Sequence, residues 1–342
     1  MTTNNKRVLI IRNDKLGDFM LAYPAFALLK QSLPQVEVYA LVPQYTCEMA
    51  EICPWIDNII IDPGQAQGTG GLFSLIKQLR QLKLDGVITL FSTTRIGMAV
   101  FASGIPLRLA PATKLAQLFY NHRLRQRRSR SEKPEYVYNL DLVRRYLELQ
   151  QCPVAENLQA PYLAFEQQKV GELKRVFCDS NNLDSNLPMV FIHPGSGGSA
   201  NNLSLEQYAQ LASKLAEDNA VNIVVTAGPG ELSQARRLIS LANVKPSAIY
   251  HSEEGLKRFA QHIQFADIFI SGSTGPLHIA GALNTATAAF YTRRRSATAL
   301  RWQTLNTPDK RLAFSPSDDA EESDMSRFDM GQVAQKIAET YL

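Results

Sequence analysis

"ISGSTGPLHIAGAL", residues 270–283, begins as an apolar strand, loses its bulk over Gly272, Ser273, Thr274 and Gly275, and resumes as a helix with His278 in its first turn. A buried strand feeding a helix through small residues leaves backbone N–H groups bare at the helix start, where aligned peptide dipoles favour an anion. Pro276 suits the first helical position because its missing N–H has no partner to lose, and Ile279 and Leu283 share one face toward a sheet. The turn is therefore read either as an anion site or as a tight strand-to-helix connection that binds nothing.

The same rhythm extends in both directions. Upstream lie "RVLIIR" (7–12), "VEVYALV" (36–42), "NIIID" (58–62) and "DGVITLF" (85–91), each followed by a helical pattern. Around the quoted stretch lie "MVFIHPG" (189–195), "VNIVVTAGPG" (221–230), "SAIYH" (247–251) and "TAAFY" (287–291). Alternating strands and helices predict parallel sheets with crossover helices, hence an α/β class. A chain of 342 residues exceeds one ordinary core, and "CPVAENLQAPYLAFEQQ" (152–168) carries prolines without sustained period, so two domains are expected, 1–165 and 166–324, followed by a terminal segment 325–342. Val333, Ile337 and Tyr341, four apart, make that terminus an amphipathic helix.

Composition narrows the function classes. With 45% hydrophobic and 20% charged residues the chain reads as soluble and globular, and a net charge of +4 argues against a general nucleic-acid binder while allowing a local basic patch. No apolar run approaches the roughly 18 to 20 residues that span a bilayer, and the start lacks signal-peptide architecture, so a cytoplasmic protein is expected. Cys47, Cys53, Cys152 and Cys178 are scattered without metal-ligand spacing.

In open parallel sheets ligands gather at the carboxyl ends of strands, which directs attention to three places. In "IIRNDKLGDFMLAYPAFALLK" (10–30) the single turn glycine, Gly17, excludes the dinucleotide and phosphate-loop fingerprints, and with them favours no NAD-dependent oxidoreductase. Asp18 there is either a helix cap or a catalytic base, with Lys15 or Arg12 holding an anionic group beside it. In "FIHPGSGGSANNLSLEQYAQLASKLAED" (191–218), Ser204 and Gln207 form a capping-box signature, while the preceding loop, with Ser196 and Gly197, suits phosphate oxygens and His193 is either a core or a site residue. The third place joins the quoted turn to "TAGPGE" (226–231), where Glu231 could accept ribose hydroxyls, and to Arg293, Arg294 and Arg295, which could neutralise a diphosphate or form a solvated loop.

Taken in order, "RNDKLGD", "HPGSGG", "GPGE", "STGPLHIAGAL" and "RW" (301–302) make the chain resemble glycosyltransferase family 9, the bacterial lipopolysaccharide heptosyltransferases, nearly end to end. The resemblance implies the GT-B fold, two Rossmann-like domains facing across a cleft, with the C-terminal helix returning to the first. It implies an acceptor-binding first domain and a second domain that holds a nucleotide sugar, typically ADP-heptose. Asp18 matches the family's catalytic base, and Ser196, Glu231, Thr274, Gly275 and His278 match its nucleotide and diphosphate positions. Two departures stand out: Asn201 and Asn202 followed by "LS" where many members carry a lysine before "WP", and Ser273 where many carry aspartate.

The expected chemistry is a metal-independent, inverting single displacement in which Asp18 takes the acceptor proton and backbone N–H groups meet the leaving diphosphate. The donor-binding set is His193, Ser196, Gly197, Asn201, Glu231, Ser273, Thr274, Gly275, Pro276, His278 and Arg293. No cofactor is expected beyond the nucleotide-sugar substrate. "NHRLRQRRSRSEKPEYVY" (121–138) gathers Arg123, Arg125, Arg127, Arg128 and Arg130 around one acid, Glu132. These join Arg12 and Lys15 as expected contacts to an anionic glycolipid acceptor or to the inner face of the inner membrane; the plain reading is a solvated basic loop. A sugar-nucleotide epimerase on the same fold and a non-catalytic nucleotide-sugar-binding protein are the alternatives.

Overall fold

The computed structural model describes residues 6–113, 115–196, 201–245 and 247–342. The chain divides into two compact units, residues 1–128 with 132–159, and residues 129–131 with 160–342. The second begins somewhat before the expected 165. Backbone N–H groups of Tyr162 and Leu163 bond to Ala282 O at 2.8 and 3.0 Å, and that of Phe165 to Gln264 Oε1 at 2.7 Å, which ties this segment to the second unit.

In the first unit the apolar runs become the strands β1 (Arg7–Ile11), β2 (Glu37–Pro43), β3 (Asn58–Asp62) and β4 (Gly86–Thr89), and two short strands follow, β5 (Leu107–Pro111) and β6 (His122–Leu124). They form one parallel sheet in the order β3-β2-β1-β4-β5-β6, with Leu9 opposite Tyr39 on one side and Val87 on the other. In the second unit β7 (Met189–His193), β8 (Asn222–Ala227), β9 (Ser247–His251), β10 (Ile268–Gly272), β11 (Ala286–Phe290) and β12 (Arg311–Phe314) line up as β12-β11-β10-β7-β8-β9. Numbered from its own first strand, the second sheet repeats the order of the first. Each therefore reverses direction beside its first strand, between β1 and β4 and between β7 and β10, and a crevice opens at the carboxyl ends there.

β5, β6 and β12 were not expected from the sequence. They are short, they lie at or next to a sheet edge, and β6 runs through the basic segment, so none shows the apolar run that marks a strand buried on both faces.

The terminal helix, Met330–Tyr341, does form, and Asp329 caps it through the N–H groups of Gly331 and Gln332. Its placement corrects the expectation of a return to the first domain. Met330, Val333, Ala334 and Ile337 are buried in the core of the second unit with Tyr208, Leu211 and Leu215 of the helix Leu205–Asp218. The approach is fixed because Gln207, besides closing the capping box with Ser204, donates Nε2 to Met325 O at 2.8 Å.

Candidate functional site

At the end of β1 the chain leaves the sheet at Arg12, passes Asp14, and enters a five-residue helix, Leu16–Met20, capped at Lys15 by backbone only. Rings of Phe19, Tyr23 and Phe26, with centroids 5.7 and 6.0 Å from Phe19, anchor this turn in the core. The Asp18 side chain makes no capping bond. It accepts instead from Arg12 Nη2.

Arg12 is 2% exposed and all five of its N–H donors are committed. Nε and Nη2 hold Asp14 at 2.8 and 3.0 Å, Nη2 also holds Asp18, and Nη1 reaches Glu135 at 2.9 Å and Asn139 at 3.2 Å. Burial opposes its charge, but Asp14, Asp18 and Glu135 outweigh that and raise its pKa. Arg12 thus has no donor left for an acceptor anion, which corrects the acceptor-binding expectation. It sets the position of Asp18.

Burial raises the Asp18 carboxyl to about 6; Arg12 pulls it down, while Asp14 and Glu135 push it further up. A carboxylate with that value titrates close to neutral pH, as a general base requires. Its neighbours Glu135 and Asn139 lie one turn apart at the start of the helix Glu135–Leu149, and Asn139 Nδ2 also bonds to Leu21 O at 3.1 Å. Neither was singled out from the sequence, although their spacing of four puts both on one helix face.

The basic segment separates into two sets. Arg128 turns inward, 2.7 Å from Glu135 and 5.6 Å from the Tyr138 ring, so it is a structural partner of the Asp18 cluster and not an open cation. Arg123, Arg125, Arg127 and Arg130 are exposed, as is Lys15. A further cluster went unread: Asp62 at the end of β3 accepts from Asn13 and from Arg95, and these bonds with that from Gly64 N–H lower its pKa against the effect of burial.

In the second unit three strand ends converge at the reversal between β7 and β10. His193, closing β7, is buried, with Nδ1 2.9 Å from Thr226 Oγ1 and Nε2 3.9 Å from Glu231; burial lowers its pKa, partly opposed by Glu231. Glu231 sits at the start of the helix Leu232–Ala242 and takes the Gly228 N–H at 2.8 Å. Its carboxylate fills the space a side chain at Gly195 would need. Asn202 donates to Pro194 O at 2.8 Å and accepts from Tyr208 Oη at 2.5 Å, and its Oδ1 covers Gly272, where a Cβ would stand 2.5 Å away. Tyr208 thereby holds an asparagine in the loop that carries a lysine in many members of the resembled family.

The quoted turn runs from β10 into the helix Gly275–Ala282, with Pro276 at its second position. Thr274 bonds through Oγ1 to Ser271 Oγ at 3.1 Å, and Ser271 donates to His193 O at 3.0 Å. His278 is buried, its pKa lowered to about 4 by burial, and its Nδ1 has no partner. Ser196, Ser273, Gly275 and Pro276 are half-buried and Asn201 is exposed; Gly197 lies outside the described residues.

Arg293 departs from its expected role. Nη1 holds Asp318 at 2.9 Å and Nη2 holds the Asp318 and Ala320 carbonyls at 3.1 and 2.5 Å, so its guanidinium fastens the acidic loop to the end of β11 and is not presented to a diphosphate. Among the described residues no group of three or more His, Cys, Asp or Glu is placed to hold a metal ion.

The model of glycosyltransferase family 9 (heptosyltransferase) matches residues 72–313. The chain belongs to glycosyltransferase family 9. A Haemophilus influenzae protein called "Putative glycosyltransferase" is 50% identical over 312 residues, 91% of this chain and 89% of that one. Escherichia coli ADP-heptose lps heptosyltransferase II superposes with a TM-score of 0.78 at 17% identity, covering 98% of each chain. E. coli heptosyltransferase WaaC with ADP gives 0.74 at 16%, covering 98% of this chain and 99% of that one. This family 9 member is a glycosyltransferase, and its two six-stranded parallel sheets have the GT-B architecture of those heptosyltransferases.

Proposed function

We propose that this enzyme transfers heptose from ADP-heptose, with inversion, to a lipopolysaccharide core acceptor, and that Asp18 is the general base. The observation that carries this reading is the Asp18 carboxylate: it caps nothing, it is fixed by Arg12, and burial brings it to about 6. The acceptor hydroxyl attacks the anomeric carbon as Asp18 accepts its proton, and the nucleoside diphosphate leaves. Charge gathering on the leaving group meets the N–H groups at the start of the helix Gly275–Ala282, which help the transition state more than the ground state. Ser196, Glu231, Thr274 and His278 would line the nucleotide and diphosphate, and Lys15, Arg123, Arg125, Arg127 and Arg130 are the exposed cations offered to an anionic acceptor. Both the family and the ADP named in the E. coli WaaC structure support this donor class. The reaction runs at the inner face of the inner membrane without a metal, so chelators leave the rate unchanged.

Asp18→Asn tests the base. Asparagine mimics the protonated carboxyl that the fold prefers, so the melting temperature should hold or rise while turnover with ADP-heptose drops by about 10²- to 10⁴-fold. In the unaltered enzyme kcat/KM should climb with pH through about 6, as Asp18 loses its proton. Near-normal turnover in the variant removes Asp18 from the chemistry, and an altered donor formed without acceptor would point to an epimerase.

A further inference from the structure

From residue 86 to residue 131 the chain contains no Asp or Glu, yet it carries Arg95, Arg108, Lys114, Arg123, Arg125, Arg127, Arg128 and Arg130. The same stretch holds Phe91, Met98, Phe101, Leu115 and Leu118, five of the eleven large hydrophobic side chains that are exposed among the described residues. Leu115 and Leu118 are 74% and 71% exposed.

Met98, Phe101, Leu115 and Leu118 share a local surface. In the helix Thr94–Ala102, Ile96, Gly97, Ala99 and Val100 face inward, which leaves Met98 and Phe101, three apart, on the outer side. The 3₁₀ turn Leu115–Phe119 packs against that helix: a Cβ on Gly97 would lie 2.8 Å from the Phe119 ring, and the Phe101 and Phe119 centroids are 6.1 Å apart. With three residues per turn, Leu115 and Leu118 stack on one side of it. Arg108 borders the apolar cluster, its guanidinium 5.4 Å from the Phe101 ring and its Nε on Phe119 O at 3.0 Å. Beyond it β6 pairs with β5, and the exposed Arg123 stands opposite Ala110, which joins the same core as Ile96, Ala99 and Val100. Arg95 and Arg128 are neutralised inward by Asp62 and Glu135 and are not counted in this face.

We propose that this face, with Leu115, Leu118 and Phe101 as its apolar tips and Arg108 and Arg123 as its cations, docks the enzyme on an anionic lipid bilayer. A bilayer answers both halves of the pattern: apolar side chains enter below the headgroups while guanidinium groups stay at the level of the phosphates. A second copy of the chain answers it poorly, because a two-fold interface would set arginines against arginines with no acid between residues 86 and 131 to relieve them. Docking through this face goes beyond sugar transfer and is tested without it.

The test is flotation of the full chain with phosphatidylcholine vesicles made with and without phosphatidylglycerol. The unaltered protein should float with the phosphatidylglycerol vesicles, release as salt rises, and stay with the soluble fraction when vesicles are neutral. Leu115→Glu/Leu118→Glu should weaken flotation about tenfold or more at an unchanged melting temperature, since both positions are exposed. Phe101→Glu serves as a second variant of the same face. No flotation, equal flotation with neutral vesicles, or variants that float like the parent each overturn the proposal. So does a concentration-dependent dimer that the double variant abolishes, which would assign the face to a second copy. Because flotation needs no donor or acceptor, loss of the catalytic reading leaves this result untouched.

Discussion

Lysine in place of Arg12 would set an ammonium with three hydrogens where a planar fork now uses five donors on Asp14, Asp18, Glu135 and Asn139. At least one buried carboxylate would lose its partner. Breaking a buried ion pair from one side typically costs about 3 to 5 kcal/mol, so Arg12→Lys should show a clear loss of stability in urea melts. It should also displace the acid limb of the rate profile upward, because Arg12 is what holds the Asp18 value down against burial and two like charges. A variant that is merely less stable, with the limb still near 6, would show that Arg12 does not set the proton affinity of Asp18. Asp18 itself was legible, since its place after the first strand marked it as cap or base, and the absence of a capping bond removes the first of these. Glu135 was not legible: 123 residues separate it from Arg12, and pairing at that range comes from the sheet order and not from local pattern. The same holds for Arg95 and Asp62. Arg12 and Arg293 were misread for one reason, that sequence shows a cation but not the acceptors that saturate it.

Strands inside a sheet, such as β1, β7 and β10, announce themselves as apolar runs, and the edge strands "NIIID" and "SAIYH", each with three Val, Ile, Ala or Tyr residues in a row, also have the bounds that the sequence indicated. β5, β6 and β12, short and near the edges, do not. What no run of residues displays is how the loops at strand ends press on one another. The turn after β7 and the turn after β8 meet where Gly195 faces the Glu231 carboxylate, which has no room for a Cβ. Gly195→Ala should therefore push Glu231 off the Gly228 N–H and away from His193, and raise the KM for donor about tenfold with little change in kcat, if Glu231 contributes to binding alone. Donor titration by calorimetry checks it. An unchanged donor affinity would take Glu231 out of the donor site. Gly272 is held by the same logic, with Asn202 over it and Tyr208 behind Asn202, so this departure from the family pattern has a structural use in the loop.

Across the molecule, the two units carry opposite responses to mild acid. In the second unit His278 and His262 are buried and neutral, each lowered from 6.5 to about 4 by burial, so the stability they contribute is present above 6.5 and is lost as pH falls toward 4. By linkage each costs about 2 kcal/mol at pH 5. In the first unit Asp18 is raised from 3.8 to about 6, so the fold prefers its protonated form and its contribution is present below 3.8 and lost as pH rises through 6. Going from pH 7 to 5 therefore relieves the first unit by about 1 kcal/mol. Asp62, lowered below 3.8, acts only in stronger acid. Of the two tryptophans in the chain, Trp55 lies in the first unit and Trp302 in the second. Single-tryptophan proteins made by Trp302→Phe and Trp55→Phe should report on one unit each. Between pH 7 and 5 the Trp302 fluorescence transition in urea should move to lower denaturant while the Trp55 transition holds or moves up. Phe in place of His278, which removes the group that must bind a proton, should abolish part of the shift seen at Trp302 and leave Trp55 as it was. Parallel acid loss at both tryptophans would mean that neither the buried histidines nor Asp18 governs the response.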